Sequence, residues 1–170
     1  MNNKRIIGGL AATALTIAAA APVLAHHSFS IFDSSQTKTF TGVVTRVNPD
    51  ANHLQIFFAP MNDERKNVER DAAGKPVVWA VEMAGSAASA QSGISVSSFP
   101  AGTIFTVSLH PLRSGEPAGA REGALYKCPE KTPPAPGKHC DSVQGSVEIG
   151  AGFVDPAQGQ QQQARPGGSN

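Results

Sequence analysis

Charge, aromatic rings and cysteine are all in short supply in this chain. Asp, Glu, Lys and Arg make up 16% of its 170 residues, and Phe, Trp and Tyr 6%, with one tryptophan and one tyrosine. Nucleic acids are held by basic grooves or stripes, with stacking rings for single strands, so no nucleic-acid partner is expected. Common catalytic motifs are missing as well. There is no Gly-x-Ser-x-Gly elbow, no P-loop and no His-Glu-x-x-His pair. Without them the sequence offers no exposed nucleophile, no phosphate cradle and no zinc-peptidase helix, and a non-enzymatic role is expected. No internal repeat is visible, and the length suits a single domain.

What is present begins with an address. "MNNKRIIGGLAATALTIAAAAPVLA" has a basic start at Lys4 and Arg5, an uncharged run from Ile6 to Ala21, and small residues at Val23 and Ala25. That is the pattern of a secretory signal cleaved after Ala25. The competing reading is an uncleaved anchor, because ~20 apolar residues can cross a bilayer. Two glycines, many alanines and Pro22 weaken that run, and no basic cluster follows it. Residues 1–25 are therefore expected to be removed, leaving a periplasmic or secreted protein with no stable membrane span. Cleavage takes two of the 14 basic side chains and none of the 13 acidic ones, moving the formal charge from +1 to −1. No basic footprint for an anionic membrane remains.

Two cysteines, Cys128 and Cys140, bracket the Pro-rich loop "CPEKTPPAPGKHC". In an exported protein the default is one disulfide. The alternative is a metal site using both thiols and His139, although zinc sites usually take four ligands in tighter pairs.

Beyond residue 25 the pattern is that of short strands. Residues 26–38 read as an irregular lead-in. "TFTGVVTRV" (Thr39 to Val47) is β-branched and shifts its apolar phase near Gly42, which predicts a bulge there. "NPDAN" is turn chemistry. "HLQIFF" alternates Leu54, Ile56 and Phe58. Residues 61–75 form a charged, exposed excursion. "VVWAVEM" points Val77, Trp79, Val81 and Met83 inward, making Trp79 a core residue. "SAASAQSG" predicts a short helix with Ser86 as its N-cap and Gly93 as its stop. "TIFTVSL" alternates Phe105, Val107 and Leu109, "PLRSGEPAG" is a loop, and "AREGALYK" is a last strand tied to "SVQGSVEIG" by the disulfide. The Gln-rich tail at 155–170 has nothing to bury. Three strands, a short helix and two strands is the element order of an all-β, OB-like five-stranded Greek-key barrel, assigned to residues 39–154; a small sandwich or roll is the runner-up.

Four ordered blocks carry a family resemblance: "AHHSFSIFD" (Ala25–Asp33), "TGVVTRVNP" (Thr41–Pro49), "VVWAVEM" (Val77–Met83) and "HPLRSGEPAG" (His110–Gly119). They resemble the domain-of-unknown-function family 6152, small exported bacterial proteins that open with His-His-Ser-Phe. The likeness covers roughly residues 25–125. It implies export and architecture and leaves the chemistry open. The family's Asn-Pro is usually followed at once by histidine; here Asp50 follows Pro49 and the histidine comes at His53.

The candidate sites follow from the expected cleavage. With His26 first, its α-amino group (pKa ~8) and its own Nδ1 can chelate one metal ion. A further imidazole from His27, His53 or His110 would complete a nitrogen-rich, tetragonal site of the histidine-brace type, which suits Cu(II). Alternatively the two histidines are only a polar, frayed start. Phe29 and Phe32 are expected to pin the lead-in onto the barrel. Glu82 and Arg113 are the candidate partner or ligand surface, either as an ion pair or with Arg113 binding an anion. Glu82 has no second carboxylate at a spacing that suggests acid–base work. The leading expectation is an exported binding or accessory module for a periplasmic protein or small ligand, with a terminal copper site as the alternative.

Overall fold

In the computed structural model, residues 29–49 and 53–151 are described. Residues 1–28, 50–52 and 152–170 lie outside them, and with them the expected leader, His26 and His27, part of the expected turn and the tail at 155–170. The chain runs from a 3-10 turn at Phe29–Ile31 into strand β1 (Lys38–Asn48), β2 (Gln55–Pro60) and β3 (Trp79–Glu82), then helix α1 (Ser86–Gln91), β4 (Ile104–Pro111), β5 (Ala118–Lys127), a 3-10 turn at Cys140–Ser142 and β6 (Val147–Ile149). The pairings β1–β2, β2–β3, β1–β4 and β4–β5 are antiparallel, and a short parallel pairing of β3 with β5 closes the ring. This is the expected five-stranded closed barrel, with the helix between its third and fourth strands. β6 adds a sixth strand outside the ring, on the free half of β5.

Alternation in the sequence builds the interior. Leu54, Ile56 and Phe58 from the second strand region, Val81 and Met83 from the third, Phe105, Val107 and Leu109 from β4, and Leu125 from β5 are all buried. Ile94 and Phe99, from the turns after α1, join the same cluster. The ring of Phe58 meets Phe105 edge-on at 5.4 Å, and Phe105 meets Phe99 at 5.6 Å in the same way. Edge-to-face packing adds to the area that these rings bury.

Several local expectations are corrected. The bulge in β1 lies between Val44 and Arg46, not at Gly42. Gly42 is a glycine for another reason: a Cβ there would sit 2.6 Å from the Phe58 ring and 2.9 Å from the Ala59 carbonyl oxygen. Its phase shift was a signal of close packing that imitates a bulge. Ser86 is the first residue of α1 and not its cap; Gly85 occupies that position with no side-chain bond, and the Ser86 hydroxyl donates to the Pro49 carbonyl. Gly93, at φ +80°, does stop the helix.

Trp79 is half-buried rather than a core residue. β3 is shorter than "VVWAVEM" suggests, so Val77 and Val78 fall outside it and Trp79 becomes its first residue. Its register partner is Phe58, and it stands at the start of the strand. There it leans on Phe40, ring centroids 4.7 Å apart, with the Lys38 ammonium 5.2 Å from its own centroid. A cation thus stands over a ring that packs against the edge of the core. The charged excursion is also less exposed than expected, because Met61 and Arg65 are buried in it. In the lead-in, Phe32 is buried and bridges to Leu112. The side chain of Phe29 lies outside the described residues.

Candidate functional site

The outer wall of the barrel has a closed side and an open side. On the closed side Thr41 of β1 and Thr106 of β4 face each other with hydroxyls 2.7 Å apart, both buried although they point away from the core. The segment that covers them returns from β5 through the Cys128–Cys140 disulfide, with Cα atoms 5.0 Å apart. The Cys140 amide donates to Thr106 Oγ1 at 2.9 Å, and His139 Nδ1 meets Thr41 Oγ1 at 2.9 Å. The excursion after β2 clamps the same segment from the other side. Arg65 Nε donates to the Lys138 carbonyl at 3.0 Å and its Nη1 to the Met61 carbonyl at 3.1 Å, while the Gly137 amide donates to the Asp63 carbonyl at 3.0 Å. Because the two sulfurs are bonded to each other, a thiolate metal site with His139 is ruled out.

His139 makes this cover sensitive to acid. Desolvation first, and then the nearby Arg65 guanidinium, pull its pKa below the ordinary imidazole value; Asp141 opposes them weakly. The unfolded chain therefore takes up a proton on this ring at a higher pH than the folded chain does. Stability held in the neutral ring is complete above pH ~6.5 and is lost as pH falls through the depressed folded value. Urea denaturation at pH 7 and pH 5 should show a larger acid loss in the wild type than in His139→Gln. Equal losses would mean that the ring contributes nothing to the pH response.

The open side lies over β2 and β3. Arg46 of β1 stacks its guanidinium on Phe57 at 3.4 Å from the ring centroid. Gln55 pairs with Glu82 across β2 and β3. His53 borders this row: its Nδ1 donates to the Met83 carbonyl at 3.2 Å and lies 3.9 Å from Glu82 Oε1. A carbonyl can only accept, so the proton sits on Nδ1. Arg113 is not part of this group. Its Nη1 lies 3.7 Å from Asp33 Oδ1 and its Nε donates to the Ser30 carbonyl at 3.0 Å. The ion pair expected with Glu82 is made with Asp33 instead, so Arg113 fastens the lead-in. Hydrogen bonds from Ser35 are the main reason that the Asp33 carboxyl titrates below its ordinary range.

His110 faces a different part of the wall. It is buried on β4, and its Nδ1 donates to the Gln36 carbonyl at 2.8 Å. Its Nε2 lies 4.0 Å from Glu122 Oε1, and the other Glu122 oxygen accepts from the Thr37 hydroxyl at 2.7 Å. Glu122 was not foreseen from the sequence. A register shift in the β4–β5 ladder between Val107 and Ser108 breaks the simple alternation along β5. The same shift hides Arg121, which stands opposite Leu109 and enters the core. Its Nη2 donates to the Gly150 carbonyl at 3.2 Å, its Nη1 approaches Met83 Sδ at 4.0 Å, and burial pulls its pKa down to about 10. The guanidinium is thus still charged at neutral pH.

Of the residues singled out in the sequence, the fold brings His53 beside Glu82 and separates Arg113 from both. Among the described residues, no group of three or more His, Cys, Asp or Glu side chains is placed to hold a metal ion. Nor is any helix among them long and apolar enough to cross a membrane. No curated protein and no solved structure gives a significant match to the chain. A family model does, over residues 14–121, a span that includes β1 to β4, Glu82, His110 and Arg113. With that span covering more than half of its length, the chain belongs to the family of unknown function DUF6152.

Proposed function

We propose that this protein is an exported, non-enzymatic binding module whose partner docks on the open wall over β2 and β3. The observation that carries this reading is the asymmetry of the barrel wall. One outer face is sealed by the disulfide-held segment, while the other presents Arg46 stacked on a half-buried Phe57 beside Gln55, Glu82 and His53. Arginine and aromatic groups are favoured at interfaces, and a ring already held by a guanidinium loses little freedom on binding. Export rests on the leader pattern of residues 1–25 and on a disulfide, which persists in oxidising compartments. A photo-crosslinking residue at position 55, in protein expressed in its own compartment, should give a discrete adduct that Arg46→Ala diminishes. The same group at position 66, on the exposed excursion, should give none. Equal labelling from both positions would sink the docking face.

A second reading is a Cu(II) site at a processed N-terminus, supported by the leader pattern that would leave His26 first. His110, held by its Nδ1 on the Gln36 carbonyl, is one candidate for the further imidazole, beside His27 and His53. The amine and ring of His26 would supply the other two nitrogens. N-terminal sequencing of the exported protein should begin at His26, and Cu(II) should bind it far more tightly than a form carrying one extra residue before His26. Equal affinity for the two forms would remove this reading.

A further inference from the structure

We infer that the segment from Gly137 to Cys140 is an acid-released strap, latched by one proton order across Thr106, Thr41 and His139, and that its release uncovers a second outer face of the barrel on β1 and β4. The latch is a chain of four groups. The Cys140 amide donates to Thr106 Oγ1 at 2.9 Å, the two threonine hydroxyls stand 2.7 Å apart, and Thr41 Oγ1 stands 2.9 Å from His139 Nδ1. Thr41 and Thr106 are buried, at 1% and 5% exposure, so their protons need acceptors within the chain. Only one order supplies them all: Thr106 donates to Thr41, and Thr41 donates to a bare His139 Nδ1. The ring is therefore neutral while the strap is closed, with its proton on Nε2. A second proton on the ring goes to Nδ1 and reverses the chain. Nδ1–H then donates to Thr41 and Thr41 to Thr106, whose own hydroxyl becomes a buried donor facing two other donors. Among the described residues that hydroxyl has no third hydrogen-bond partner. Charge also disfavours the imidazolium. The Arg65 guanidinium, on the excursion after β2, opposes it, and Asp141, on the ring's own segment, favours it only weakly. Lys138 is its chain neighbour, Asp63 meets the segment through its backbone carbonyl, and β1 and β4 offer the two hydroxyls. The charged ring is stable only where it reaches water, with the strap open. Acid thus favours the open state, and the bond to Cys128 keeps the opened strap tethered beside β5.

Opening should follow a single proton. The open ring titrates near the ordinary imidazole value of ~6.5 and the closed ring below it, so the opening equilibrium rises as pH falls through that window, by at most about 10-fold per pH unit. Two measurements on the full, disulfide-intact protein test the latch. At pH 7, long-range proton–nitrogen NMR spectra should place the His139 proton on Nε2. Hydrogen exchange, corrected for the intrinsic effect of pH, should show the amides of Gly137 and Cys140 losing protection about 5-fold or more between pH 7 and pH 5, while Val107 in the β1–β4 ladder keeps its own. His139→Gln has a side-chain oxygen that can accept from Thr41 and does not titrate, so it should hold the protection of Gly137 and Cys140 constant over the same range. A proton on Nδ1 at pH 7, an acid loss that persists in His139→Gln, or an equal loss at Val107 would each overturn the latch. The tautomer is read on the wild type, so the test stands even if His139→Gln folds poorly. The docking wall over β2 and β3 plays no part in these outcomes.

Discussion

Phe58→Ala should destabilise the barrel by ~4 kcal/mol, the largest loss expected from any single truncation here. Phe58 is fully buried and lies between rings, 5.4 Å from Phe105 and 5.8 Å from Phe40. Its neighbours cannot collapse freely into the space, because the backbones around it are held at ladder spacing by the pairing of β2 with β1 and β3. A cavity would remain, and both the transfer and the cavity cost would be felt. The adjacent Trp79, although larger, should cost roughly half as much on truncation, because half-burial recovers only part of the transfer energy. Urea denaturation of the two variants decides the matter. If Trp79→Ala costs as much as Phe58→Ala, the indole is a core element after all.

Replacing both cysteines by serine should cost ~3 kcal/mol, since the bond closes a loop with a sequence separation of 12 and the unfolded chain regains that freedom. The loss should be local before it is global. The segment at 137–141 is held to the barrel by the amide of residue 140 on Thr106, by His139 on Thr41, and by Arg65 and Asp63 on the backbone of residues 137–138. Without the bond these contacts must pay the full entropy of ordering the loop. Hydrogen exchange at the amide of residue 140 should become fast in Cys128→Ser/Cys140→Ser, while that of Val107, inside the β1–β4 ladder, stays slow. Slow exchange at both would show that the cover stands without its disulfide. Uniform acceleration would show that the bond supports the whole barrel.

Much of this architecture was written in local pattern. Strict alternation at Leu54–Phe58 and Phe105–Leu109 names the inward residues, because a strand has a period of two and one face must leave water. The order of strands, helix and strands restricts the chain to few closed arrangements. Two cysteines in a chain with an export pattern point to one bond, and the bond is there. Phase is where local reading failed. The apolar shift near Gly42 came from a close approach to Phe58, while the actual bulge sat at Thr45 among residues that look regular.

Side-chain partners across strands were beyond the sequence for the same reason. Arg113 meets Asp33 because the lead-in bridges to the end of β4, a contact over a long stretch of chain. Glu122 faces His110 only because the β4–β5 ladder slips by two residues after Val107. Sequence alone located the five barrel strands, most of the residues they bury and the cysteine pair, since periodicity and composition act locally. Tertiary structure alone decided which polar groups meet on the outer wall, since register between distant strands is set by bulges and packing that no single strand encodes.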